Sequence, residues 1–187
     1  NFIFKEIILI INNFDCHTIN LSGYKKLNGS QLAKDNITYI LNSLKSKISE
    51  VENNKKILHI FSTKYSLDNK ELENIPIGLF GDFYFQELSF FLMCNNDYKN
   101  LKNVFENCNL SIKKIISKNF IEGVKLINNT DFTSFLLIKI EKKESQLILF
   151  ENSSFKFIQN FNFGTDIILD DICKITSLDK YQIRKIL

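Results

Sequence analysis

The chain has 187 residues, 44% of them hydrophobic, which is enough to bury one ordinary core or two small ones and excludes a disordered polymer. With 24 Lys and Arg against 21 Asp and Glu the net charge is +3, and the lysines are scattered among acids rather than stacked on one predicted face, which argues against a nucleic-acid footprint. Cys16, Cys94, Cys108 and Cys173 lie far apart, no Cys-x-x-Cys occurs, and the two histidines fall at 17 and 59, so neither a zinc centre nor a disulfide framework is indicated and a reduced cytosolic compartment fits.

In chain order, Phe4 to Ile11 and Cys16 to Leu21 are apolar runs separated by Asn12, Asn13 and Asp15, a pattern that predicts two strands joined as a hairpin. Asp35 is placed to cap a helix running to about Glu50, in which Ile37, Ile40, Leu41, Leu44 and Ile48 recur at helical spacing. That apolar stripe reads as core-facing rather than as a membrane-surface or partner helix. Ile57 to Leu67 is a strand, with Ile57, His59, Phe61 and Thr63 expected on one face and Leu58, Ile60, Ser62 and Lys64 on the other. Polar residues from Asn69 to Asn74 interrupt it. The chain's single proline, Pro76, then precedes Gly78 and Gly81, so Ile75 to Gly81 reads as a shaped turn.

Asp82 to Met93 is a long aromatic strand with Tyr84, Leu88, Phe90 and Leu92 in one register. Asn95, Asn96 and Asp97 start a helix with Tyr98, Leu101, Phe105 and Cys108 on one side, and Leu110 to Ser117 returns as a strand. Residues 35–117 therefore read as a compact unit of helix, strand, strand, helix, strand, with helices packed on one face of a small sheet. Phe120 to Asn128 is a short helix weakened by Gly123. Strands at Phe132 to Ile140, Gln146 to Phe150 and Phe155 to Phe161 read as an antiparallel meander. Gly164 to Ile175 is helical with Ile168, Ile172 and Ile175 on one face, and Leu178 to Leu187 is a further helix. The longest apolar runs fall far short of the roughly 18 residues of a membrane span, and no signal peptide is visible. Because the chain opens at Asn1 and its one methionine is Met93, it is expected to be a piece of a longer protein.

Single polar residues carry little chemistry. No Ser, Cys or carboxylate is placed to form a relay with His59, which reads as a packed structural histidine. Cys94 and Cys108 read as small buried apolar residues, Asp170 as solvated beside Asp171, and the phenylalanine-rich strands as core.

One stretch carries a resemblance. A histidine-bearing strand ending Tyr65-x-Leu67-Asp68, a short loop, and then Ile75-Pro76-Ile77-Gly78-Leu79-x-Gly81 resembles the bacterial cell-division protein FtsA in the small subdomain inserted into its actin-like core. The resemblance implies an α+β, actin-like (ribonuclease H-like) fragment: residues 1–34 as strands of the first lobe, 35–117 as the inserted interaction subdomain, and 118–187 as the start of the second lobe. It implies an adaptor at the inner face of the cytoplasmic membrane at the division site, joining FtsZ filaments to later division proteins and self-associating. The family's FtsZ-contacting subdomain and its membrane-binding C-terminal helix are not matched by these residues.

The resemblance also locates a nucleotide site. Family members carry Asp-Ile-Gly-Gly-Gly-Thr-x-Asp at the first hairpin of the second lobe, where glycines bring backbone N–H groups to the ATP phosphates and the last aspartate helps hold Mg²⁺. This chain reads Lys139-Ile140-Glu141-Lys142-Lys143-Glu144-Ser145-Gln146, with every glycine replaced by a charged residue. Gly164 and Arg184 are the remnants of the other nucleotide-contacting segments, Tyr181 replacing a family acid. The chain is accordingly read as non-catalytic, with no cofactor. The alternatives are an actin-like ATPase and a type IV pilus assembly scaffold of the same superfamily, in which the Pro76-to-Gly81 turn is not expected.

Overall fold

A computed structural model describes residues 5–12 and 16–186, with the side chain of Arg184 outside the described set. Five helices and nine strands run β1 (Glu6–Ile11), β2 (Cys16–Lys26), α1 (Lys34–Val51), β3 (Lys55–Leu67), β4 (Lys70–Leu72), β5 (Phe83–Cys94), α2 (Asn95–Glu106), β6 (Ser111–Ser117), α3 (Lys118–Asn129), β7 (Phe135–Ile140), β8 (Ser145–Glu151), β9 (Ser154–Phe161), α4 (Thr165–Thr176) and α5 (Lys180–Ile186). The fold is mixed α+β.

β5 organises the whole. Its even-numbered residues Tyr84, Leu88, Phe90 and Leu92 are buried together, as the alternation predicts, against Ile40, Leu44 and Ile48 of α1. Its odd-numbered Phe91 points the other way, into a second core with Phe150, Phe155 and Ile158 from β8 and β9. Phe61, Phe91, Phe120 and Phe155 form the centre of that core, with the Phe91 and Phe155 rings 4.1 Å apart. The molecule is thus layered: α1, then the four-stranded sheet β2-β5-β3-β4, then the antiparallel meander β7-β8-β9 with α3. At the Met93 end, β1, β6 and α2 close a third small core around Ile11, Met93 and Ile115. Gly123 of α3 permits the closest of these contacts, since a Cβ there would fall 1.9 Å from Phe150 Cζ.

Several expectations are corrected. β1 and β2 do not form a hairpin. β1 lies parallel to β6 from Glu6↔Ser111 to Ile11↔Ser117, and β2 lies antiparallel to β5 from Cys16↔Met93 to Lys26↔Phe83. β5, at 12 residues, offers the 11-residue β2 a full-length ladder that the six-residue β1 cannot. Asn13 and Asp15, expected in the turn, lie outside the described residues, as do Phe4 and Leu187. The helix-strand-strand-helix-strand unit of residues 35–117 is not closed on itself, because β2 joins its sheet and β6 pairs with β1 instead. Asp35 sits in the first turn of α1 rather than at its cap, which is Ala33, whose N–H donates to Asn36 Oδ1 at 2.8 Å.

The two faces of β3 also differ from simple alternation. Register shifts between Ile57 and His59 and between Ser62 and Lys64 put Ile57 with Ile60 on the α1 side, while His59 and Phe61 face the second core. Cys94 and Cys108 are exposed, not buried. On α2 only Tyr98 and Leu101 reach a core. On α4 the buried residue is Leu169, while Ile168 and Ile175 are 60% and 83% exposed. Asp170 is paired with Lys180 of α5 at 2.5 Å.

Candidate functional site

The turn from Ile75 to Phe83 is built on backbone hydrogen bonds to the segment 27–32. Gly78 N–H donates to Leu32 O (2.9 Å), Leu32 N–H to Leu79 O (2.9 Å), Gly29 N–H to Gly81 O (3.0 Å) and Leu27 N–H to Asp82 O (2.7 Å), and the Gln31 amide donates to Gly78 O at 2.6 Å. Leu79 N–H closes back on Pro76 O at 3.2 Å, and Gly78 at φ +90° supplies the positive dihedral that the third position of a type II turn requires. Gly81 answers a different need, since a Cβ there would fall 2.7 Å from Leu67 Cδ1 and 2.8 Å from Asp68 Oδ2. The same Asp68 accepts the N–H groups of Asp82 and Phe83 through Oδ1, both at 2.8 Å. The residues singled out in the sequence, Asp68, Pro76, Gly78 and Gly81, are therefore one assembly.

With Pro76 buried and its backbone tied down, the turn presents apolar side chains to solvent: Ile77 is 47% exposed, Leu79 52% and Phe80 71%.

His59 serves the interior. Its Nε2 accepts the Ser117 N–H at 3.3 Å and its ring leans on Phe61 and Phe120. Burial first, and the positive charge of Lys114 second, hold its pKa below the ordinary imidazole value. The two large layers are joined by charges far apart in the chain: Lys156 of β9 meets Glu87 of β5 at 3.1 Å and also Glu151, and Thr63 donates to Glu87 Oε1 at 2.9 Å. Burial alone would raise the Glu87 carboxyl, but the hydrogen bonds from Lys156 and Thr63, with the charges of Lys156 and Lys64, outweigh it and hold the pKa low.

The hairpin aligned with the phosphate loop is filled by the chain itself. Thr165 and Asp166, the first residues of α4, donate their N–H groups to the carbonyls of Glu141 and Lys142, each at 2.9 Å, and Glu141 N–H donates to Glu144 O at 2.9 Å. A helix N-terminus is where an anion would be received, and here two of its donors already have backbone acceptors. Gly164, the N-cap of α4, is buried, and a Cβ on it would fall 2.3 Å from Glu141 O and 2.5 Å from Lys142 O. The two residues at the family's acidic positions have structural partners: Lys139 donates to Asn119 Oδ1 (2.6 Å) and pairs with Glu122, while buried Gln146 accepts from Asn119 Nδ2 (3.1 Å) and donates to Asn160 Oδ1 (3.0 Å). The backbone of Arg184 lies in α5, and Tyr181 is 67% exposed. No glycine stands between Lys139 and Gln146, and the first two amides of α4 are engaged by the carbonyls of this loop. Among the described residues no group of three or more His, Cys, Asp or Glu is placed to hold a metal, and no helix is long and apolar enough to cross a membrane.

No protein-family model matches the chain, and no curated protein does. Among solved structures it is similar to the PilM-PilN type IV pilus biogenesis complex, with a TM-score of 0.54 at 8% identity over 97% of this chain and 50% of that one. The chain shares the fold of that structure over the matched part. It spans about half the length of the matched chain, and at this identity the likeness carries the fold alone.

Proposed function

We propose that the chain is a non-catalytic actin-like adaptor of the FtsA type, acting in bacterial cell division by docking other proteins at the inner face of the cytoplasmic membrane. The observation that carries this reading is the Pro76-Gly78-Gly81 turn. Its FtsA-like sequence coincides with a platform tied by backbone hydrogen bonds to residues 27–32 that holds Ile77, Leu79 and Phe80 out to solvent. Its partners are later division proteins, with self-association. FtsZ binding and membrane anchoring belong to family segments that these residues do not match. The engagement of the α4 amides by Glu141 and Lys142 supports an adaptor without ATP over the ATPase alternative.

A second reading, a pilus-assembly scaffold, has the PilM-PilN likeness in its favour. A two-hybrid panel of the source organism's division and pilus proteins separates the two. Capture of a division protein that is lost on the double substitution Leu79→Ser and Phe80→Ser is expected. Exclusive capture of pilus proteins would replace the first reading with the second.

A further inference from the structure

The outer face of the β7-β8-β9 sheet is apolar and open. On it Leu136, Ile138 and Ile140 of β7 stand opposite Leu149, Leu147 and Ser145 of β8. β9 continues the face with Phe157, Gln159 and Phe161. The other side of the same strands, with Phe150, Phe155 and Ile158, is taken up by the second core. No charged side chain stands among the nine outer residues. The two polar ones are satisfied within the chain, Ser145 Oγ donating to Phe163 O at 2.8 Å and Gln159 Nε2 to Asn160 O at 3.2 Å.

Leu136, Ile138 and Ile140 are 54%, 59% and 57% exposed, and Phe161 is 39% exposed. Those fractions amount to about two whole side chains, roughly 300–500 Å² at about 150–250 Å² for a large side chain. Half-buried Leu147, Leu149 and Phe157 add to it, as does exposed Phe163, whose ring lies 6.0 Å from that of Phe161. The whole patch is then about 500–700 Å², at or above the roughly 300–600 Å² of the largest patch on a typical monomer. Two such faces laid together would remove about 1,000–1,400 Å² from water, which reaches the size of specific interfaces.

The face, and not the β7 edge, is the surface available. Lys139 points inward from β7, pairing with Glu122 and donating to Asn119 Oδ1 at 2.6 Å, and another strand added at that edge would seal its ammonium from water. A chemically different partner would be selected by a charge or a free hydrogen-bonding group, and the face offers neither. A second copy meets it with an equally dry surface and leaves no polar group unpaired.

We propose that two copies of this chain associate face to face through β7-β8-β9 about a two-fold axis, the sheets roughly 10 Å apart, with Ile138, central on the face, packed against its counterpart. This gives the self-association of the reading above a surface, but it rests on the sheet alone, so its failure leaves the Pro76 turn untouched.

Sedimentation velocity on the full chain over about 1–100 µM tests it, with reductant present because Cys94 and Cys108 are exposed. A reversible monomer–dimer equilibrium in the micromolar range is expected. Ile138→Lys and Ile138→Asp should each weaken it about tenfold or more, since like charges would then meet in a dry interface, and an equimolar mixture of the two should associate more tightly than either alone. Leu136→Ser gives a second loss. Ile8→Lys, at an isoleucine also 59% exposed but on β1 in another sheet, should leave the dimer unchanged. Because Ile138 is exposed in the single chain, its variants should keep the circular dichroism spectrum of the parent. A chain monomeric to about 100 µM, its face then left to a different protein, or a dimer indifferent to Ile138→Lys would overturn the proposal. A mixture no tighter than its components would overturn the apposition at Ile138, and open-ended polymers would overturn the closed two-fold arrangement.

Discussion

Gly164→Ala tests how the 141–144 turn packs on the start of α4. The glycine has φ −157°, extended backbone that alanine adopts freely, so no dihedral penalty arises and only space matters. The added methyl would meet two backbone oxygens, Glu141 O at 2.3 Å and Lys142 O at 2.5 Å, and backbone cannot swing aside as a side chain can. Relief requires the 141–144 turn to move off α4, with loss of the Thr165 and Asp166 hydrogen bonds at 2.9 Å. Two hydrogen bonds at about 1 kcal/mol each, plus about 1–2 kcal/mol of residual overlap, less about 0.5–1 kcal/mol gained because alanine restricts the unfolded chain, leave a net destabilisation of roughly 2–3 kcal/mol. At about 2–4 °C per kcal/mol for a chain of this size, the melting temperature should fall by roughly 4–12 °C. Thermal unfolding followed by circular dichroism measures it. A variant as stable as the parent, or more stable, would show that the loop does not lean on α4 as described.

Other outcomes follow from the same geometry. Gly123→Ala drives a methyl into the ring of fully buried Phe150 and should cost about 1–3 kcal/mol in urea unfolding despite the better helix propensity of alanine. Asp68→Ala leaves the Asp82 and Phe83 N–H groups without their acceptor and should cost about 1–3 kcal/mol, with increased proteolysis within residues 75–83. His59 is held below its ordinary pKa in the folded state, so the unfolded chain binds the extra proton first. Its stabilising contribution is complete above the unfolded value of 6.5 and is lost as pH falls through the lower folded value. His59→Gln should therefore flatten the stability profile below pH 6.5, and an unchanged slope would contradict the burial assigned to the ring.

What the sequence made legible was local. The β5 register could be read because Tyr84, Leu88, Phe90 and Leu92 alternate without interruption, and β7 to β9 because short polar links join three apolar runs. The turn could be read because proline and glycine restrict dihedrals whatever surrounds them. Pairing across long separations could not. β1 meets β6 about a hundred residues away, and nothing in Ile7-Ile8-Leu9 distinguishes that partner from nearby β2. The bulges of β3 leave no compositional trace, so simple alternation puts Ile57 and His59 on one face when they belong to two. On α4, four isoleucines compete with one leucine for the inner side, and the tertiary contact of Leu169 decides. The paired charges Lys156–Glu87 and Lys139–Glu122 were equally invisible, since each joins segments with no shared local pattern.

The α4 amides of Thr165 and Asp166 are held by the chain's own carbonyls, at the loop that the resemblance to FtsA aligns with a phosphate site. A thermal-shift titration with Mg-ATP is the most direct test, because a ligand at 100 times its Kd stabilises by about 2.7 kcal/mol, worth roughly 5–11 °C here. The account predicts no shift up to millimolar nucleotide. A saturable rise of several degrees, abolished by Gly164→Ala, would contradict it.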